Sequence, residues 1–454
     1  MCSIIRQPTD NGSVVNRVVS RLAALASQPP SRDHVGGRSL PEIAKTPRAL
    51  TGLPHDVRTM RLAPLVRVLA ATVLVAAPLA VPAAGSGAPE TPTSRSGAER
   101  ARAEALPVWL APVAPHAENP TNPLAGRLWG VYRGPQDQVW RPFTRSTGAT
   151  REALATIADR PRTKWYGSFV PDRKIRSTVT SYLASAQAGN PETLAQTAVF
   201  RMKPWEGEAC RRATTPAEAA SYRTWISELA AGIGSAHMLV VMQPDGPFLL
   251  CAPDRAAKSA LLTWATQTLS ALPNTSVYID AGAADWCENG TAQESYRCAE
   301  ILKLSGIQYA RGFALDSTHY NGPVENIDRG AEILELLQAA GYGEKHFIVD
   351  TAKSGRPTRW PDMVPASKKD VRNNARTCTT RTMKRCVTLG IPPTPRPADP
   401  QWGLPEPQRT IAAQYVDGFV WFGRPWLYNQ ADPFVASRAL DMARSTPWTA
   451  TGPR

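Results

Sequence analysis

From Asn119 onward the chain repeats one unit: a short apolar run ending in polar or acidic residues, followed by a longer stretch with helical spacing. The runs are 128–131, 197–200, 238–242, 276–280, 309–314, 346–350 and 418–422. Their near-continuous apolarity predicts parallel strands buried on both faces, and the stretches 215–233, 256–272, 293–305 and 330–340 supply covering helices. In 215–233, Ala219, Tyr222, Ile226 and Leu229 recur every three or four residues. Thr215, Pro216 and Glu218 form a helix-start signature ahead of them. About seven such units, with no G-x-G-x-x-G fingerprint, predict an α/β fold: a distorted, seven-stranded parallel (β/α) barrel rather than a doubly wound dinucleotide fold.

Barrel chemistry collects at the C-terminal strand ends. Those ends read Gln243-Pro244-Asp245, Asp280-Ala281-Gly282, Asp316 with His319-Tyr320-Asn321, Asp350-Thr351, and Gly423-Arg424-Pro425-Trp426. Acids at these positions, without a Ser-His pair, a P-loop or metal-ligand spacing, point to general acid and base work on a neutral substrate. No cofactor and no metal are expected. Trp129, Trp165, Trp286 and Trp426 offer flat apolar faces for sugar rings, although each alone reads equally well as core packing.

Seven segments together resemble glycoside hydrolase family 6, the secreted inverting β-1,4-glucanases and cellobiohydrolases. They are NPLAGRLW at 122–129, the loop 201–210, LVVMQPDG at 239–246, VYIDAGAADW at 277–286, RGFALDSTHYNG at 311–322, FIVDTAKSG at 347–355 and VDGFVWFGRP at 416–425. The resemblance implies that Asp245 is the catalytic acid and that Asp280 is a second acid supporting its charge balance. A carboxyl at a buried strand end beside Phe248 is partly desolvated, which favours its protonated form. Trp129, Trp286, Asn321, Arg424, Trp426 and Asn429 are read as substrate-binding.

The chain also departs from the family pattern. In the loop 201–210 the family tyrosine is lost, and Glu208 stands nearest the family aspartate, with Glu206 the alternative in a shifted register. Arg424-Pro425-Trp426-Leu427-Tyr428-Asn429 replaces the segment that carries the acid often proposed as base, so Asn429 occupies its register and Asp432 follows. Inverting enzymes hold their two carboxyls roughly 6.5–9.5 Å apart to admit a water. Asp280, Glu208 and Asp432 are the candidates to receive that water's proton. The expected activity is inverting hydrolysis of β-1,4-glucan or a related polysaccharide, with endo action following from the short loop after Cys210. The alternative is a catalytically weak saccharide-binding barrel.

Upstream, Arg61 and Arg67 precede an apolar run at 68–81 and small residues at 81–84, the pattern of a signal peptide too short to span a membrane. Residues 60–84 are therefore read as an export signal, 1–59 as a leader ahead of the true start, 85–118 as a flexible Ala/Pro/Gly/Ser-rich linker and 119–445 as the catalytic domain. The formal charge is +14. Ten basic residues against four acids in 1–67 account for six of it, leaving +8 without an aromatic-interleaved basic stripe, so no nucleic-acid partner is expected. A secreted monomer free of the membrane after signal cleavage is expected, with a polysaccharide as its partner. A third reading is a basic extracellular protein that binds anionic polymers. Six cysteines downstream of the signal favour disulfides, with Cys210–Cys251, Cys287–Cys298 and Cys378–Cys386 as candidates among the 15 possible pairings.

Overall fold

The computed structural model describes residues 112–286, 293–449 and 452–453. The leader 1–59, the signal 60–84, most of the linker 85–118 and Cys287 lie outside them. Seven parallel strands, β1 (Lys164–Gly167), β2 (Ala195–Phe200), β3 (Met238–Met242), β4 (Thr275–Asp280), β5 (Gly312–Leu315), β6 (His346–Asp350) and β7 (Val416–Val420), pair in sequence order. This is the expected α/β barrel, curled but left open between β1 and β7. Along that opening Thr163 N–H donates to Trp421 O (2.9 Å) and Trp165 Nε1 donates to Phe422 O (2.6 Å).

Strand side chains alternate between two cores. Trp165, Ala198, Leu239, Val241, Tyr278, Ala314, Ile348 and Val420 fill the barrel interior. Met238, Val240, Met242, Val277, Ile279, Phe313, Phe347, Val349 and Phe419 face outward beneath the helices. The covering helices are α1 (Trp140–Arg145), α2 (Gly148–Ala158), α3 (Asp172–Gln187), α4 (Pro216–Ile233), α5 (Arg255–Ser270), α6 (Gln293–Leu304), α7 (Pro323–Ala339), α8 (Glu406–Tyr415) and α9 (Ala436–Ser445). The start of α4 is as the sequence indicates: Thr215 Oγ1 accepts from Glu218 N–H (3.2 Å), and Glu218 Oε2 accepts from Thr215 N–H (2.9 Å). Beyond the expected boundary at 445, β8 (Trp448–Thr449) pairs antiparallel with β9 (Gly452–Pro453), and Trp448 packs edge-on against Trp402.

The first strand differs from expectation. Residues 128–131 make a single bridge, Trp129 to Leu194, while the true β1 is the four-residue run at 164–167. Gly130 N–H and Leu128 O form two ladder bonds with Leu194. The pairing then stops, because Arg133-Gly134-Pro135 turns the chain away.

The segment 119–131 instead plugs the N-terminal mouth of the barrel. Trp129, buried in the interior cluster, donates Nε1 to Leu124 O (2.7 Å). Beside it Asp417, at the start of β7, accepts from Tyr278 Oη (2.6 Å), Arg311 Nε (2.9 Å) and Asn119 Nδ2 (2.8 Å). Trp129→Ala should therefore lower the unfolding free energy by about 3–5 kcal/mol, the range for emptying a buried tryptophan site, as measured by urea denaturation. A change below about 1 kcal/mol would contradict a packing role.

Candidate active site

At the opposite mouth each of four successive strands ends in, or runs into, a buried aspartate. Asp245 follows β3, Asp280 closes β4, Asp316 follows β5 and Asp350 closes β6, all less than a tenth exposed. Asp245 (φ 65°) and Asp316 (φ 74°) adopt left-handed backbone, which aspartate tolerates better than most residues and which turns the chain sharply off its strand.

Neighbouring strand ends are tied through these carboxyls. Asp280 Oδ1 accepts from Gly246 N–H (3.1 Å) and Gly282 N–H (3.0 Å), joining the β3 and β4 loops. Gly246 is required here, since a Cβ would lie 2.1 Å from Asp280 O. Asp350 Oδ1 accepts from Phe422 N–H (2.9 Å) and Gly423 N–H (3.0 Å), joining β6 to the segment after β7. Lys353, fully buried, ion-pairs with Asp350 and donates to Asp316 O.

Asp245 is the acid held mainly by a side chain: Thr318 Oγ1 donates to its Oδ1 (3.2 Å). Burial, reinforced by the Asp280 and Glu206 carboxylates, pushes it up to about 8. Burial likewise raises Asp280 to about 7, against the pull of its backbone donors. Two carboxyls so placed take up protons across the neutral range as a coupled pair. Arg424, whose guanidinium lies 4.1 Å over the Trp165 ring, is lowered by burial to about 9, while Asp432 and Asp245 favour its charge.

The predicted site residues divide into those the fold gathers here and those it does not. Asp245, Asp280, Arg424 and Trp286 stand on this rim. Trp426 is buried between Trp421 and the Arg162 guanidinium, and with Trp165, Tyr132, Phe169 and Arg424 it lines a groove of 80 Å³ beside the β1/β7 opening. Asn429, in left-handed backbone (φ 50°), and Asn321 each keep a buried side-chain oxygen without a hydrogen-bond partner. Trp129 is not brought to the rim, because the plug segment carries it to the other mouth. Glu208 also turns outward: it is about half exposed and pairs with Arg212 (2.9 Å). Glu206, two residues earlier and in left-handed backbone (φ 51°), is the acid of this loop that faces Asp245, and its own carboxyl is raised by partial burial.

Sequence reasoning missed an aromatic stack. The Trp286 ring lies on His319 (4.7 Å, 5° between planes), and His319 lies on Trp360 (4.5 Å, 16°), which in turn faces Tyr320 (5.7 Å). Asp285 fixes the stack from below: its Oδ1 is 2.6 Å from His319 Nδ1, and its Oδ2 accepts from Trp360 N–H at 2.5 Å. Burial raises the Asp285 carboxyl, but His319, Trp360 N–H and Asn321 together outweigh it and hold the group below its ordinary value. Thr318 and Lys353 were missed too. Lys353 had one signal, a basic residue three positions after a strand-end acid.

Disulfides Cys210–Cys251 and Cys378–Cys386 are present as expected. Cys298 is disulfide-bonded as well, and its expected partner Cys287 lies outside the described residues. Among the described residues, no group of three or more His, Cys, Asp or Glu is arranged to hold a metal ion.

Buried carboxyls of raised proton affinity at the ends of parallel strands, beside aromatic faces, are the groups a glycosidase needs. The chain belongs to the glycosyl hydrolases family 6, whose model matches residues 131–362. It is 30% identical over 260 residues to Endoglucanase 1 of Streptomyces halstedii, covering 55% of this chain and 76% of that protein. It is 27% identical over 229 residues to Endoglucanase A of Cellulomonas fimi, covering 50% of this chain and 47% of that one. In fold it is similar to the endoglucanase Cel6 from Mycobacterium tuberculosis, with a TM-score of 0.55 and 24% identity over 71% of this chain and 99% of that one.

The acid pair has a consequence for stability. In the unfolded chain both carboxyls return to about 3.8, so between that value and about 7 to 8 the folded state holds protons that the unfolded state has released. Their contribution to stability is thus full below about 3.8 and is lost as pH rises through the folded values. The urea midpoint of the wild type should fall more steeply from acidic to mildly alkaline pH than that of Asp280→Asn, whose amide keeps an acceptor oxygen but does not titrate. Parallel slopes would contradict the raised values.

Proposed function

We propose that this chain is a secreted, endo-acting hydrolase of β-1,4-glucan that works with inversion, Asp245 donating the proton to the leaving glycosidic oxygen. The carrying observation is the Asp245 carboxyl, buried at a strand end, oriented by Thr318 and raised to about 8. A group with that value holds its proton at neutral pH and releases it readily to a developing alkoxide. Asp280, fixed by two backbone donors, keeps Asp245 protonated through its own partial charge. Trp286, held flat by the His319 stack, offers a sugar platform beside the acids.

Glu206 is assigned as the group that takes the proton from the attacking water. It faces Asp245, yet it remains open to solvent and free of the Arg212 contact that occupies Glu208. Asn321, Arg424, Trp426 and Asn429 are assigned to substrate.

Support for β-glucan as substrate comes from the names of the relatives, Endoglucanase 1 and Endoglucanase A among them. Endo action is favoured by the short turn from Cys210 to Thr215, which leaves little chain to roof the cleft. Export is favoured by the disulfides and by the signal pattern at 60–84. No described helix is long and apolar enough to cross a membrane. A monomer remains part of the proposal.

Asp245→Asn should keep oligosaccharide affinity within a few-fold while turnover of unactivated glucan falls by about 10²–10⁴, the usual contribution of general acid catalysis. An aryl glycoside with a good leaving group should lose less. Glu206→Gln should fall comparably and recover with azide, whereas Glu208→Gln should stay within a few-fold of wild type. Near-full activity of Asp245→Asn, or azide rescue of Glu208→Gln in place of Glu206→Gln, would overturn these roles. Oligosaccharide binding by the wild type without any turnover would establish a saccharide-binding barrel instead.

A further inference from the structure

Residues 356–385 contain nine lysines and arginines against two acids, Asp362 and Asp370, a net charge of +7. Residues 85–454 together carry +8, so one 30-residue segment holds almost the entire excess. Elsewhere in 85–454 the two signs nearly cancel. A charge so localised on an otherwise balanced surface generates a local positive field, and fields of this kind concentrate anions.

The segment follows β6 on the same face as the strand-end acids and is fastened to their surroundings. Trp360 N–H bonds Asp285, Tyr320 Oη donates to Arg372 O (2.7 Å), and Tyr428 Oη donates to Asp370 Oδ1 (3.0 Å). Four of its six arginines are steered by backbone carbonyls: Arg356 by Gly355 O and Arg381 O, Arg372 by Pro361 O, Arg376 by Lys384 O and Arg385 O, and Arg385 by Asp362 O. A carbonyl orients a guanidinium without neutralising it. The Cys378–Cys386 disulfide closes the loop that carries Arg381, Lys384 and Arg385. Arg356, Arg359, Lys384 and Arg385, with Asp362 as the one acid, line a crevice of 540 Å³. Lys368, Lys369 and Arg372 stand exposed along the same segment. Oriented cations in a crevice, with further cations beyond it, match a polymer bearing repeated negative charges better than a single small anion.

We propose that this crevice binds anionic groups, carboxylate or phosphate, borne by the polysaccharide itself, so that the glucan this hydrolase prefers is acidic. The inference rests on the hydrolase reading for its location and defines the substrate class of that same site. Arginine and lysine together accept either anion, the guanidinium in a two-point fork and the ammonium as a point charge.

Affinity electrophoresis through carboxymethyl cellulose, phosphorylated cellulose and neutral hydroxyethyl cellulose tests binding without requiring turnover. The wild type should be retarded more by an anionic gel than by the neutral one, and the anion that retards it more identifies the source. Retardation should weaken with added salt. Arg359→Gln/Lys384→Gln/Arg385→Gln should lose about tenfold in apparent affinity for the anionic polymer, a few tenths of a kcal/mol or more per exposed charge. It should hydrolyse hydroxyethyl cellulose as the wild type does. Arg141→Gln/Arg145→Gln/Arg223→Gln, which removes equal charge from exposed helical positions, should keep both properties, and a thermal melt checks that each variant is folded. Equal retardation on neutral and anionic gels, equal loss in the two variants, or stronger competition by duplex DNA than by carboxymethyl cellulose at matched charge would overturn the proposal. Wild-type protein retarded by acidic glucan yet hydrolysing neither kind would sink the hydrolase reading and leave the crevice standing.

Discussion

The structure turns on carboxyl groups buried where parallel strands end. Four successive strands of a parallel sheet deliver aspartates to one rim, and apolar surroundings make their ionised forms costly. Backbone N–H donors, Thr318 and the buried Lys353 accommodate them. The same contacts that make the acids tolerable also set the geometry: Asp280 holds the β3 loop to the β4 loop, and Asp350 holds β6 to the segment after β7. The top of an unclosed barrel is thus fastened by its acids as much as by its ladder.

Chemistry follows from how unequally these acids are treated. Asp350 and Asp316 share the Lys353 ammonium and sit deep, so they read as the frame. Asp280 has two backbone donors on one oxygen and the Ser317 hydroxyl beside its carboxyl. Asp245 alone combines burial, neighbouring negative charge and a lone hydroxyl donor, which leaves it the most protonated of the pair at neutral pH. Environments that separate the proton affinities of adjacent carboxyls are the general means by which one site supplies an acid and a charge-stabilising partner. The proposed roles of Asp245 and Asp280 are that separation put to use.

Much of this was legible in the sequence because strand ends are legible. A run such as Met238–Met242 followed by Gln-Pro-Asp-Gly fixes both a buried strand and the position of its acid, and the capping box at Thr215 fixed the start of α4. The failures have physical causes. The run at 164–167 has only four residues and was passed over for 128–131, whose apolar look reflects a plug instead of a strand. Helix α3 escaped because its buried face, Ile175, Val179, Tyr182 and Leu183, is diluted by Arg, Ser and Thr on the other side. The choice between Glu206 and Glu208 depends on one left-handed residue in a short turn, which leaves little trace in composition. The stack of Trp286, His319 and Trp360 joins three separate loops, and only the folded chain brings them within ring contact.

The central claim, that the fold keeps the Asp245 carboxyl protonated at neutral pH, is most directly tested by titrating that carboxyl in the folded protein. Carbon-13 NMR of aspartate-labelled protein, with Asp245→Asn assigning the resonance, reads it without reference to substrate. The account predicts a carboxyl that changes ionisation near about 8, together with a second, coupled change near about 7 from Asp280. An Asp245 resonance that titrates near the ordinary aspartate value of about 3.9 would contradict it.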